Sequence, residues 1–257
     1  MSMKRFIAAL ALLLSFSAPS YAIAIIAGTD TGGALGHGFS SGSTTVALTT
    51  TATVPSGSLI VVMCAGGNLT ITAASDSAGN TYTGVLATSY LSPRAVREFY
   101  SFSTNSLASG STITCTTNSS SGQKTVVAAA FSGLSATPLD AASVNQNGTS
   151  TTYTTGPTGT LAYPGGTNGE VLLGVVQPGI SIAPSNDASF VNLGTYSNGS
   201  GTQAPTAFGY KIVSASTPIT YAPSGSSAAY VGQLGAFIGN GTSATTFHGL
   251  SSIGAGK

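Results

Sequence analysis

Apolar residues along this chain fall in short runs separated by polar ones, and almost none follow a helical period. The runs are rich in β-branched and aromatic residues and stop at Gly, Asn, Ser or Pro, which is how strands and turns are punctuated. The pattern predicts strands at Thr44–Val54, Ser58–Ala65, Leu69–Ala74, Tyr82–Tyr90, Val96–Thr104, Ser111–Thr117, Lys124–Ser132, Thr151–Thr155, Glu170–Gln177, Phe190–Tyr196, Ala207–Val213, Pro218–Ala222 and Ala228–Ile238. Thr44–Val54 and Ser111–Thr117 alternate, so one face of each meets water. Ser58–Ala65 and Lys124–Phe131 are almost wholly apolar and read as central strands covered on both sides. Many short strands with turn signals between them imply an all-β sandwich or barrel.

The strand pattern repeats. Leu59-Ile60-Val61-Val62 is echoed by Val171-Leu172-Leu173-Gly174, and Phe99-Tyr100-Ser101 by Gly209-Tyr210-Lys211. Ile113 precedes Phe131 by 18 residues, and Ile219 precedes Phe237 by the same 18. The expected architecture is therefore a jelly-roll-like β-sandwich of two related halves, 44–139 and 170–239, joined by a connection at 140–169. Residues 23–43 read as an N-terminal arm, in which the apolar Ile23–Ala27 is a β-strand or docking segment and Gly28–Gly42 is rich in Gly and Ser, and 240–257 reads as a flexible C-terminal tail or an arm that orders only against a neighbour.

The first 22 residues differ from the rest. Lys4 and Arg5 precede an apolar run from Phe6 to Phe16, and Ser20-Tyr21-Ala22 closes it with small residues. That order is a secretory signal, with cleavage after Ala22 or, as a second site, Ala24. An uncleaved anchor is the alternative, but the unbroken apolar core, Phe6 to Leu14, is far shorter than the ~20 residues a bilayer needs. The expected location is secreted or at the cell surface, with membrane contact only through export.

Charged residues are 5% of the chain, against about 25% in ordinary globular proteins. Without the leader, Arg94, Arg97, Lys124, Lys211 and Lys257 stand against Asp30, Asp76, Glu98, Asp140, Glu170 and Asp187. No basic patch remains to neutralise phosphates, which excludes nucleic acid as a partner. Cys64 and Cys115 are the only two cysteines. In an oxidising compartment they are expected to pair.

Four strings together resemble a group of secreted bacterial and phage-encoded β-sandwich modules. They are Gly57 to Val62, Asp76-Ser77-Ala78-Gly79-Asn80-Thr81-Tyr82 (a D-S-x-G-N-x-Y turn), Phe99-Tyr100-Ser101-Phe102 and Ala128 to Phe131. Glu170 to Gly174 and Tyr210 to Val213 continue the likeness, which spans about Thr44 to Gly239. The resemblance implies a sandwich fold and carries no catalytic residues. The chain departs from it in having no Trp.

Candidate chemistry is sparse. Asp76 and Asn80 read as a hairpin turn between Leu69–Ala74 and Tyr82–Tyr90, because Asp and Asn bind their own turn backbone and Gly79 accepts positive φ. A calcium site on the same two residues is the alternative, although calcium wants six to eight oxygens. No other cofactor or metal is expected. His37 and His248 lie in Gly/Ser-rich segments and read as solvent-exposed. Glu98 reads as a rim ion pair with Arg94 or Arg97. A hydrolase would need a second carboxylate facing it, and Asp76, Asp140, Glu170 and Asp187 are the candidates. No G-x-S-x-G elbow occurs. Tyr163, in Leu161-Ala162-Tyr163-Pro164-Gly165-Gly166, is the candidate ligand contact. The expected function is a non-enzymatic structural or adhesive surface module, acting on other surface proteins or its own copies. A glycan-binding module and a virion surface subunit are the alternatives.

Overall fold

The computed structural model describes residues 22–142, 146–162, 169–197, 201, 203–214 and 216–240. Residues 1–21, Tyr163 and 241–257, His248 among them, lie outside the described residues. The described chain is an all-β sandwich, and every ladder in it is antiparallel.

The central sheet is built on β4 (Leu59–Gly67), flanked by β10 (Gln123–Ser132) and β8 (Arg94–Phe102). Beyond β10 lie β1 (Ala24–Ile25) and β2 (Gly36–Ser41); beyond β8 lie the short β6 (Thr83–Gly84) and β7 (Ser89–Leu91). A three-stranded sheet of β3 (Thr45–Thr49), β9 (Thr112–Thr117) and β5 (Ile71–Asp76) covers one face. A six-stranded sheet covers the other. It is centred on β13 (Glu170–Pro178), between β16 (Ser224–Gly239) and β15 (Thr206–Val213), with β14 (Val191–Tyr196) beyond β15. β11 (Leu134–Ala142) and β12 (Gln146–Thr152) run along β16.

This stacking explains the unbroken apolar strands. Alternate residues of β4 point to opposite faces. Ile60, Val62 and Cys64 pack with Val46, Leu48, Ile71, Ile113 and Cys115 of the three-stranded sheet. Leu59, Val61, Met63 and Ala65 pack with Val171, Leu173, Val175, Val231 and Phe237 of the six-stranded sheet. The six-stranded sheet is itself covered on its far side, where Leu172, Val176, Leu234 and Ala236 meet Tyr153, Leu161, Phe190 and Tyr221. Cys64 and Cys115 form the expected disulfide, which staples β4 to β9 across the first of these cores.

The two halves share a pattern of pairing. β4 lies between β8 and β10, and β13 lies between β15 and β16, so in each half the first strand is flanked by the later two. The β3–β9 pair has a counterpart in 153–158 against 219–223. Tyr153 N–H donates to Pro223 O at 2.7 Å, Thr155 N–H to Tyr221 O at 3.0 Å and Thr158 N–H to Ile219 O at 2.9 Å. Pro218–Ala222 thus pairs without making a regular ladder.

Three expectations need correction. Residues 23–43 are not an arm outside the sandwich: β1, within the apolar Ile23–Ala27 stretch read as a strand or docking arm, and β2 complete the central sheet, and Ala34 and Leu35 are fully buried. Without them β10 would present an unpaired edge in the middle of two cores. Their glycines serve close packing, since a Cβ on Gly38 would fall 1.9 Å from Ala47 O. The stretch 140–169 is not a plain connection either. β11 reaches Ala142, β12 pairs with β16, and Tyr153 to Leu161 form the outer cover. Finally, Tyr82–Tyr90 is not one strand. Between β6 and β7 a glutamine side chain from the six-stranded sheet takes over: Gln233 Oε1 accepts from Glu98 N–H at 3.0 Å, while its Nε2 donates to Ala87 O. Gln177 does the same nearby, accepting from Ala95 N–H at 3.1 Å. The two halves are thereby joined by polar bonds as well as by packing.

Candidate functional site

With so few charges, the fate of each one can be followed. Asp76 sits at the end of β5. Its Oδ1 accepts from the backbone N–H of Ala78 and Asn80, and its Oδ2 from Asn80 Nδ2 and the Tyr82 hydroxyl, at 2.9–3.1 Å. Asn80 also ties down Asn105, whose N–H donates to Asn80 Oδ1 at 2.9 Å. Burial, the Asp76 charge and the hydrogen bond to it together push the Tyr82 phenol well above its ordinary range, so it stays a donor. The D-S-x-G-N-x-Y string is therefore a locked turn, as read, but not a hairpin. β5 belongs to the three-stranded sheet and β6 to the central one, so it is the corner between two layers. A calcium ion there would have to displace four protein donors.

Replacing Asp76 with alanine strands those donors, and charge-assisted bonds are worth about 1.5–3 kcal/mol each. The expected result is a loss of about 3 kcal/mol in urea denaturation. EDTA is expected to leave the melting temperature of the native chain unchanged. A fall on chelation would restore the calcium reading.

The other aspartates are also occupied. Asp187 Oδ1 accepts from Ser189 N–H at 2.8 Å and its Oδ2 from Ala222 N–H at 3.0 Å. Asp140 Oδ2 accepts from Ala162 N–H at 2.7 Å. Asp30 Oδ2 lies 2.5 Å from His37 Nδ1, the one ion pair among the described residues. His37 is exposed, as read from the sequence, but it has this orienting partner and stacks near Phe39 and Tyr196. Nothing in the spacing of Asp30 and His37 signals the pair; the 3-10 turn at Thr31–Gly33 folds one back toward the other.

Glu98 is not a rim residue. It is fully buried between the central and six-stranded sheets, and burial pushes its carboxyl well above the ordinary range, opposed only in part by the backbone of Gly235 and Val175. A Cβ on Gly235 would come within 3.0 Å of Glu98 Oε2, so this glycine makes the space. Glu98 forms no ion pair with Arg94 or Arg97 among the described residues. Glu170 is likewise fully buried, at the start of β13.

Among the described cations, Arg97 donates to Leu86 O, Ile71 O and Thr72 O and lies 4.7 Å over the Phe99 ring. Lys124 Nζ is held by the carbonyls of Ser120, Ser121 and Gly122 at 3.1–3.4 Å. Lys211 stands 5.7 Å over Phe190. Arg94 is different. It begins β8, its Nε is shut off from solvent, and that nitrogen meets no acceptor among the described residues. It lines an open cleft of about 540 Å³ where the two halves meet, within the ~300–1,000 Å³ of small-molecule sites. Asn68, Gln123, Ser41 and Ser181 supply polar groups there, and Pro93, Pro178 and Pro205 supply apolar walls. Among the described residues, no acidic one lines it.

Of the residues that the sequence singled out, the cleft holds only Arg94, which was read as an ion-pair partner of Glu98 and not as a ligand contact. Cys64 and Cys115 are buried, and Asp76 and Asn80 form a corner elsewhere in the fold. The only sequence signal for Arg94 was its charge in a nearly chargeless chain. Comparison of the chain with protein-family models, with curated proteins and with solved structures finds no match.

Proposed function

We propose that this protein is an exported surface module that works by binding, on a frame too tightly packed to rearrange. The observation that carries this reading is the cleft at the junction of the two halves, with Arg94 as its one uncommitted charge. The leader pattern and the disulfide favour an oxidising compartment outside the cytoplasm. Asp76, Asp140 and Asp187, which a hydrolase would draw on, are held instead by backbone N–H groups. Glycan binding is the form of this reading that an open, hydroxyl- and amide-lined cleft favours over self-assembly.

Expression of the full chain in a bacterial host with its own leader tests the proposal. A product of about 235 residues is expected outside the cytoplasm, monomeric by light scattering, and retained on isolated cell-envelope material. Full-length product held in the cytoplasm, or exported product that washes off the envelope, would refute it.

A further inference from the structure

Resting on that binding reading, we propose that the Arg94 cleft takes a carboxylate-bearing saccharide, a uronate unit. The carboxylate pairs with the guanidinium, and the ring hydroxyls meet the amides of Asn68 and Gln123.

Three observations lead there. First, the guanidinium is unspent. The other described cations are engaged by carbonyls or aromatic rings, whereas among the described residues Arg94 Nε has no acceptor and no acid lines the cleft. Nε itself is closed off from solvent, so a ligand in the cleft meets the Nη edge of the guanidinium, which pairs with no carboxylate among the described residues. Second, the backbone is shaped around this side chain. A Cβ on Gly179 would fall 1.6 Å from Arg94 Nη2, so only glycine at 179 leaves the guanidinium its seat. Third, the surroundings are neutral and polar. One cation balances one negative charge, and the planar guanidinium fork matches a carboxylate through two parallel hydrogen bonds. Amide and hydroxyl side chains beside it suit a ligand rich in hydroxyls, and the proline walls cover its C–H faces. A phosphate group, nearly doubly charged, would be left with half its charge uncompensated.

The test is calorimetric titration of the exported chain with uronate trisaccharides (galacturonate, glucuronate and mannuronate). Their methyl esters and a sulfated galactose trisaccharide serve as controls. At least one uronate is expected to bind. Arg94→Gln is expected to weaken it by about tenfold or more, the value of one charge-assisted pair, and esterification by a similar factor. Gln123→Ala, which leaves the charge in place, is expected to weaken it severalfold. Unchanged melting of Arg94→Gln is the folding control; if that variant melts early, Gln123→Ala and the ester still decide. Equal binding by the ester, or sulfated sugar bound as tightly as uronate, would overturn the carboxylate assignment. Failure of every saccharide to bind, with envelope retention intact in Arg94→Gln, would overturn this cleft while leaving the broader binding reading standing. Loss of envelope retention in the native chain would overturn both.

Discussion

Replacing Cys64 and Cys115 together with alanine is expected to destabilise the protein by about 4 kcal/mol, the chain-entropy value for a loop of this length. The bridge closes a separation of 51 residues and joins β4 to β9 across the core of the first half. In a chain of this size a loss of that magnitude lowers the melting temperature by on the order of 10 °C. The loss should fall mostly on the first half, because the six-stranded sheet carries no covalent link to the others. Urea denaturation of native and double-alanine chains measures it, with intact m-values as the check that both still unfold as one unit. A difference below ~1 kcal/mol would mean that the cores on either side of β4 hold the three sheets by packing alone.

Stability should fall with rising pH, and Glu98 should be the reason. Its carboxyl is raised well above the ordinary value by burial. Below about 4.5, the unfolded value, the group is protonated in both states, and the fold has its full stability. Above that pH the unfolded chain releases the proton while the folded chain keeps it. The native state is then disfavoured by about 1.4 kcal/mol per pH unit until the folded value is reached. Glu98→Gln, which imitates the protonated form, is expected to flatten this slope and to be more stable than the native chain at pH 8. Denaturation of both proteins between pH 4 and pH 8 decides it. Parallel curves would show that the carboxyl ionises freely in the folded protein.

The class of fold was legible because its signals are local. A period of two, β-branched runs and Gly/Asn punctuation act within a few residues, and they located strands such as β4, β9 and β13 to within a few positions. The repeat was legible for the same reason, since equal spacings survive in the sequence. The disulfide followed from there being only two cysteines. The turn at Asp76 was readable as a turn because its hydrogen bonds reach no further than Tyr82, apart from the link to Asn105.

What escaped the sequence was everything set by partners far along the chain. Gly36 and Gly38 look like linker residues, yet they are glycine because β3 presses against β2, which only the packing shows. Glu98 looks like a neighbour for Arg94 and Arg97, but it shares a face with Val96 and Tyr100 that the six-stranded sheet covers. Gln233 lies 135 residues from the Glu98 amide that it satisfies. The pattern of apolar positions alone determined that this chain makes strands and that β4 and β10 are buried on both faces, while the equally enclosed β13 showed only in the packing. Only the tertiary structure decided which charges are locked inside and which one is left facing a cleft. A side chain's charge is local, but its desolvation and its partners depend on surfaces brought together by the whole fold.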